Sequence, residues 1–457
     1  MTRPVEFNIA AQVSHIEANR GIKDALMVGL KAHGPRKRIS VTDLTSLKQA
    51  YFRRKHPDIT PTLEKQQVMW SGTGFHELFG AAVSSEEYLE QFVELDGVVG
   101  KIDIFEDMPV EVKTTRRIAD ESDLARKRPS YIEQLGMYCA MTGVKEGRIV
   151  IYQREADSGQ PPLSVCHVRF SDLDAIKNEM RQRRELLENA LASDDPSHLP
   201  ACPWGEWGCD YASVCDCKTK RVKTTYAIRD QLASLDVDDV AARQFLDKLA
   251  AGSCGRSSGR VRLNDIVFPR KTYLSRVQRD IPLDEEEQEQ EARDQLASME
   301  KWGMIGKVRD CLLYSPESES RRVPVSLESL SDMVLLHQGR PAVARLMQLN
   351  FIVQRERLPQ MSGHFFTRLG FECALTDQHT GRMVLYYPRV TGDDAKLMVY
   401  DVSFKDVAAL KAEAARRISL LETAQGVAEL PMCPQWMCRY CKDSHSCYGG
   451  DTQKPLW

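Results

Sequence analysis

Apolar and polar positions alternate with a period of two over residues 101–105 and again over 110–114, and Asp107, Met108 and Pro109 between them supply turn material. That pattern predicts a β-hairpin. Residues two apart on a strand share a face, so Glu111 and Lys113 point one way while Val110 and Val112 point into packing. With the hairpin in register, Asp103 lies beside Glu111. Around it the period changes. Residues 37–55 read as a helix capped by Ser40 or Thr42 and ending in a basic turn; GTGFHE at 72–77 opens a second helical stretch; YIEQLGMYC at 131–139 places Gln134 and Tyr138 on one helix face. Strands are predicted at 148–153 and 163–170, then an amphipathic helix over about residues 171–191.

Two carboxylates converging on one point make a hard oxygen site suited to Mg²⁺ or Mn²⁺, and the Val112 carbonyl can add a third oxygen. A lysine beside them makes sense where a metal-associated water is held for attack on a phosphate. The same alternation also suits an exposed hairpin with a weak ion pair, and the flanking residues decide between the two. They form an ordered series: Gly72/His76, Gly100/Asp103, Glu111/Lys113, Gln134/Tyr138.

In that order, GxxxH, GxxD, ExK and QxxxY, the chain resembles the RecB-like branch of the PD-(D/E)xK nucleases, which includes CRISPR adaptation nucleases and AddAB-type nuclease domains; the resemblance covers about residues 38–217. It implies that His76, Asp103, Glu111 and the Val112 carbonyl bind the metal, that Lys113 handles the water, and that Gln134 and Tyr138 contact the DNA backbone. It also implies a restriction-endonuclease-like α/β fold, a mixed sheet flanked by helices.

A repeat doubles this picture. Residues 134–153 match 368–387 at a constant offset, with Leu135, Gly136, Cys139, Ala140, Gly147, Arg148 and Tyr152 recurring as Leu369, Gly370, Cys373, Ala374, Gly381, Arg382 and Tyr386. Arg38 to Leu44 matches Arg260 to Ile266 more weakly. In the second copy Arg368 replaces Gln134 and Glu372 replaces Tyr138. PVSLES at 324–329 is the expected counterpart of PVEVKT, with Ser326 for Glu111 and Glu328 for Lys113. The expectation is one active and one degenerate domain: an extension at 1–37, an active domain at 38–217, a connector at 218–259 and a degenerate domain at 260–457.

Thirteen cysteines and no signal-peptide or membrane-spanning run lead to a cytoplasmic expectation, with grouped cysteines read as metal chemistry. Cys433, Cys438, Cys441 and Cys447 fit a 4Fe-4S cluster or a structural zinc, and the resemblance favours the cluster. Cys202, Cys209, Cys215 and Cys217 form a less regular first group, with Ala212 where Cys441 aligns. The family's N-terminal cluster cysteine is missing from the helix at Leu47, Lys48 and Gln49.

A net charge of -3 gives no global pull toward nucleic acid, so DNA contact falls to local basic patches such as 31–38, Arg116/Arg117, 126–128 and 218–223. The acidic run at 283–295 reads as an exposed helix or loop, with DNA mimicry as the sharper alternative. No phosphate loop of an ATP-driven motor is found, which leaves room for a helicase or another DNA-processing protein as partner. The expected function is a metal-dependent DNA exonuclease on single-stranded or frayed ends. A DNA-binding structural subunit and an RNA-processing nuclease stay open beside it.

Overall fold

Burial along Val98–Phe105 alternates residue by residue, whereas Pro109–Thr115 is buried at almost every position. The first pattern belongs toward the side of a sheet and the second to its centre, covered on both faces. A computed structural model describes residues 7–31, 37–116, 124–155, 162–202, 209–215, 227–254, 260–277, 285–314, 319–434 and 447. The chain is a mixed α/β protein with mixed sheets flanked by helices, divided into two compact units. Among the described residues, no helix is long and apolar enough to cross a membrane.

The Glu111 unit comprises Lys31–Ser253 and Glu285–Met304. Its seven-stranded sheet has as its main series Leu89–Leu95, Val98–Phe105, Pro109–Thr115, Glu146–Gln153, Leu163–Phe170 and Leu232–Val237, with the two-residue strand Ile39–Ser40 parallel to the start of Val98–Phe105; within the series Pro109–Thr115 and Glu146–Gln153 are parallel and the other neighbours antiparallel. The parallel pair needs a crossover, which the helix Pro129–Thr142 provides. On that face Ile149 and Ile151 pack with Leu135 and Tyr138 and with Ile176 and Met180 of the helix Leu173–Ser193. On the other face Val110, Val112 and Val150 pack with Phe75 and Phe79 of the helix Leu63–Val83.

The Arg345 unit comprises Met1–Leu30, Cys254–Asp284 and Ile305–Trp457. Its strands Ser320–Leu327, Leu330–His337, Arg340–Leu346, Thr380–Tyr386, Leu397–Phe404 and Val13–Ala18 repeat the same order and the same directions, again with one parallel pair in the third and fourth places. Details repeat as well. Arg183 donates to the Leu44 carbonyl at 3.0 Å and to Glu179 at 2.7 Å. Arg417 donates to the Ile266 carbonyl at 2.9 Å and to Glu413 at 2.6 Å. Both arginines are buried and clamp a long helix, Leu173–Ser193 or Val407–Thr423, onto the short helix before the sheet.

The edge strands hold a finding that the sequence reading did not reach. Residues 13–18, read as part of an extension, pair with Leu397–Phe404; residues 232–237, read as part of a connector, pair with Leu163–Phe170. Both segments have the same make-up: a four-residue helix (Ile9–Gln12, Ala227–Asp230), the edge strand, then a longer helix (Arg20–Lys31, Asp239–Cys254). Ile9 packs toward Gly370 and Phe404 in the way that Ile228 packs toward Gly136 and Phe170. The Gln12 carbonyl accepts from the Lys405 amide at 2.9 Å, as the Gln231 carbonyl accepts from the Ser171 amide at 2.8 Å. The duplication therefore includes this leading element, and each leading element completes the sheet built by the other half of the sequence.

Close packing explains why some repeated residues are small. A Cβ on Gly147 would lie 2.6 Å from the Pro109 carbonyl oxygen and 2.9 Å from Leu135, and one on Gly381 would lie 2.6 Å from Leu369. Because the Pro109 backbone belongs to the central strand, it has no cheap way to move. Gly147→Ala is expected to destabilise the protein by about 1–3 kcal/mol, read as a lower midpoint of urea unfolding; an unchanged midpoint would contradict this packing.

Candidate active site

The backbone of Pro109–Thr115 sets the site. Parallel pairing puts Glu111 opposite Ile149 and Lys113 opposite Ile151, so both side chains leave on the face covered by Pro129–Thr142. On the other edge, pairing with Val98–Phe105 is formed at Ile104 with Val110 and Phe105 with Pro109. Beyond those pairs a side chain takes over: Asp103 Oδ2 accepts from the Val112 amide at 2.8 Å. A strand residue's N–H and C=O point to the same edge, so the Val112 carbonyl also faces the Asp103 side.

Each glycine of the motif series admits a close neighbour. A Cβ on Gly72 would come within 3.3 Å of Thr114 Oγ1, so glycine lets the His76 helix lie close to the central strand. His76 Nδ1 then stands 3.5 Å from Asp103 Oδ2. A Cβ on Gly100 would meet Tyr138 at 2.8 Å, and its absence lets the tyrosine ring rest on the strand. One helix supporting this arrangement was not legible as such. The acidic run is the start of the helix Glu285–Tyr314; Ala292 and Leu296 are buried beside Phe75 and Phe79, and the Gly303 Cα lies where a Gly74 Cβ would be, 2.0 Å from it.

Gln134 and Tyr138 are occupied inside the protein. Lys113 Nζ donates to Gln134 Oε1 at 3.0 Å, Gln134 Nε2 donates to the Tyr138 hydroxyl at 3.2 Å, and that hydroxyl donates to the Lys101 carbonyl at 3.0 Å. Tyr138 is 3% exposed. In this structure the pair forms a hydrogen-bonded chain that orients Lys113. Tyr131, not singled out in the sequence, adds its ring 5.4 Å from Lys113 Nζ.

Glu111 is 2% exposed. Its Oε1 accepts from Lys113 Nζ, and its Oε2 has no hydrogen-bond partner among the described residues. Burial pushes the Glu111 carboxyl up to about 7 against the pull of Lys113, with the Asp103 charge adding to the rise. Asp103 goes the other way: burial raises it, but His76, Lys113 and the Val112 amide together hold it below the ordinary carboxylate value. For Lys113 burial is again opposed, and Glu111 and Asp103 keep the ammonium above its usual value. A buried carboxylate oxygen without a donor, next to an ionised aspartate, is a donor set that fits a hard divalent cation.

In the Arg345 unit the corresponding strand is Arg340–Leu346. Ala342 pairs with Arg382 as Val110 pairs with Arg148, which puts Val343 at the Glu111 position and Arg345 at the Lys113 position. The expected counterparts Ser326 and Glu328 lie elsewhere: Ser326 pairs with Ser331 on an earlier strand, and Glu328, at φ 51°, is in the turn that follows. Hairpin register, counted from Leu95/Val98 and Leu327/Leu330, likewise sets Asp332 at the Gly100 position and Leu335 at the Asp103 position.

Of the grouped cysteines, Cys202, Cys209, Cys215, Cys433 and Cys447 are described, while Cys217, Cys438 and Cys441 lie outside the described residues. Ser46, just before the helix Leu47–Lys55, lies 3.2 Å from Cys202 Sγ through its hydroxyl. In the other unit Arg270 Nη1 donates to the Cys447 carbonyl at 3.2 Å and approaches its Sγ at 3.7 Å. Cys202 and Cys447 thus each lie at the start of a helix, Leu47–Lys55 and Pro269–Val277.

No family model matches the chain, and no curated protein does. Among solved structures it is similar to one described as "Crystal structure of SSO0001", with 15% identity over 44% of this chain and 96% of that chain and a TM-score of 0.31.

A divalent ion at Glu111 competes with the proton held there. Mn²⁺ affinity is therefore expected to rise about tenfold per pH unit up to about pH 7 and then level off, measured by titration calorimetry. Without metal the sign for stability is opposite. The raised carboxyl stabilises the fold fully below its unfolded value near 4.5, and this is lost as pH rises through about 7. Glu111→Gln is accordingly expected to unfold at a higher temperature than wild type in EDTA at about pH 8 and to lose the Mn²⁺-induced shift. An unchanged shift would place the metal elsewhere.

Proposed function

We propose that this protein is a metal-dependent DNA nuclease of the RecB-like PD-(D/E)xK kind, hydrolysing phosphodiester bonds in the Glu111 unit and working as an exonuclease on single-stranded or frayed ends. The reading rests most on one observation: a buried Glu111 whose Oε2 lacks a donor, between Asp103 and Lys113. Asp103 Oδ2, Glu111 Oε2, the Val112 carbonyl and His76 would hold Mg²⁺ or Mn²⁺. When bound, such an ion lowers the pKa of a water and neutralises charge that develops on the phosphate. Lys113, fixed by Glu111 on one side and Gln134 on the other, holds the water for in-line attack. Its retained positive charge suits orienting that water and stabilising the anionic phosphate. Tyr138 and Tyr131 act on the lysine rather than on substrate.

The test is cleavage of end-labelled single-stranded DNA with Mg²⁺ or Mn²⁺. Wild type is expected to cleave, and Glu111→Ala and Lys113→Ala to lose at least about a hundredfold in rate. Full activity in both variants would remove the site from the reaction.

The cysteine groups are part of the same proposal. Cys202, Cys209 and Cys215 with Cys217, and Cys433 and Cys447 with Cys438 and Cys441, would each hold a 4Fe-4S cluster or a zinc ion that closes its unit. Support comes from the contacts of Cys202 with Ser46 and of Cys447 with Arg270, at helices that correspond to the one where the family keeps an additional cysteine. Elemental analysis of anaerobically purified protein is expected to find iron or zinc, and Cys433→Ser to lower both metal content and unfolding temperature. Metal-free protein with wild-type stability would dismiss this part.

A further inference from the structure

The place that holds two carboxylates and a lysine in the Glu111 unit holds arginines and neither carboxylate in the Arg345 unit. Leu335 and Val343 replace Asp103 and Glu111, so both candidate metal-binding carboxylates are gone, while Arg345 and Arg368 replace Lys113 and Gln134. Arg309, in the last part of the helix Glu285–Tyr314, acts electrostatically on Arg345 and is itself acted on by Arg368 and by Arg322 of the outermost strand of this hairpin.

The partners do not balance this charge. Arg368 donates to Glu372 at 2.6 Å and lies 3.6 Å from Asp332, whose oxygens also accept the Leu263 and Met333 amides at 3.0 and 2.8 Å. Arg345 is half-buried, stands 5.7 Å from the Phe365 ring and donates to the Ala344 carbonyl at 2.9 Å. Neither Arg345 nor Arg309 forms an ion pair among the described residues; Asp310 acts on Arg309 only at longer range. Burial lowers the Arg345 guanidinium to about 10 against the pull of Glu372, and Arg368 and Arg309 lower it further. Burial also lowers Arg309, with Arg322 and Arg368 contributing. His364, pushed down to about 4 by burial and then by Arg345, faces the cluster as a neutral ring. Glu372 is 4% exposed, its Oε2 has no partner among the described residues, and burial raises its carboxyl. Arginines that outnumber the carboxylates beside them favour an anion, and their planar forks match the oxygens of phosphate.

We infer that Arg309, Arg345 and Arg368 form a phosphate-binding site that takes the phosphodiester backbone of a single-stranded nucleic acid without cutting it, the choice of nucleic acid resting on the nuclease reading. The site lacks counterparts of the hydrolytic carboxylates and keeps cations at the positions of Lys113 and Gln134, groups that grip the same chemical unit.

The experiment measures binding by the full chain in EDTA, where metal-dependent cleavage is silent. The probes are a fluorescein-labelled single-stranded oligodeoxynucleotide, followed by anisotropy over a range of salt, and inorganic pyrophosphate, followed by thermal shift. Arg309→Gln/Arg345→Gln removes two charges that hold no ion pair among the described residues, and is expected to weaken oligonucleotide binding about tenfold and to lower the salt slope by about one to two. Glu372→Gln removes the opposing charge and is expected to bind about threefold tighter. Equal affinity and slope in wild type and the double variant would overturn the site, as would wild type that responds to neither probe. Should the double variant fail to fold, an unchanged affinity in Glu372→Gln overturns it. A pyrophosphate response that the double variant loses, with no oligonucleotide binding to wild type, reassigns the ligand to free phosphate and overturns the nucleic-acid part. Oligonucleotide binding that depends on these arginines, in a protein that shows no metal-dependent cleavage, keeps the site and rejects the nuclease reading.

Discussion

The parallel ladder between Pro109–Thr115 and Glu146–Gln153 is the constraint from which the candidate site follows. A parallel pair lies inside a sheet because its crossover helix covers one face and other elements must cover the second. Whatever occupies positions 111 and 113 is thereby forced out of water and toward the crossover helix. The same ladder, Arg340–Leu346 with Thr380–Tyr386, imposes the same fate on Val343 and Arg345. One backbone rule thus serves two chemistries. The side chains at a few positions fix the sign of the field.

In the Glu111 unit this confinement creates an unstable charge distribution. Removing a carboxylate from water costs several kcal/mol in real proteins, and a single lysine repays only part of it. Asp103 is better served, by an amide, an imidazole and the lysine. Two neighbouring carboxylates therefore differ in proton affinity, and the more strained one also presents the unpartnered oxygen. The crossover helix stabilises the lysine in turn, through a Gln134 held by a buried Tyr138.

Much of this was legible in the sequence where packing and chemistry leave local marks. The two-residue period of the hairpin placed Glu111 and Lys113 on one face, and the spacing of Gln134 and Tyr138 placed them on one turn-to-turn face of a helix. Gly147 and Gly381 recur because a Cβ would strike a neighbouring leucine in both units. The leading elements were not legible: Ile9 and Gln12 recur as Ile228 and Gln231, but half-exposed edge strands accept many residues, and nothing local says which sheet such a strand will join. The counterpart of PVEVKT was misplaced because Pro341-Ala-Val-Ala-Arg keeps only the proline and a basic end. A two-residue likeness at Pro324-Val325 looked stronger than a register that becomes visible only in the ladder. The hydrogen bonds of Gln134 to Lys113 and of Tyr138 to the Lys101 carbonyl were hidden for a related reason: spacing gives the face of a helix but not what meets it.

The crosswise edge strands bear on how this chain is made. Val13 pairs with Phe404, and Leu232 with Phe170. Synthesis from the N-terminal side makes the first of these strands long before its mate. The second core can close its sheet only with a strand that has waited, unpaired, while everything between the two was made. Exposed strand edges invite pairing with other chains during that wait. The first core has a shorter delay, since its closing strand emerges soon after its own last helix. Vectorial synthesis therefore favours completing the unit with the carboxylates before the unit with the arginines, and gives the latter the slow, long-range closure that limits folding in proteins of high contact order.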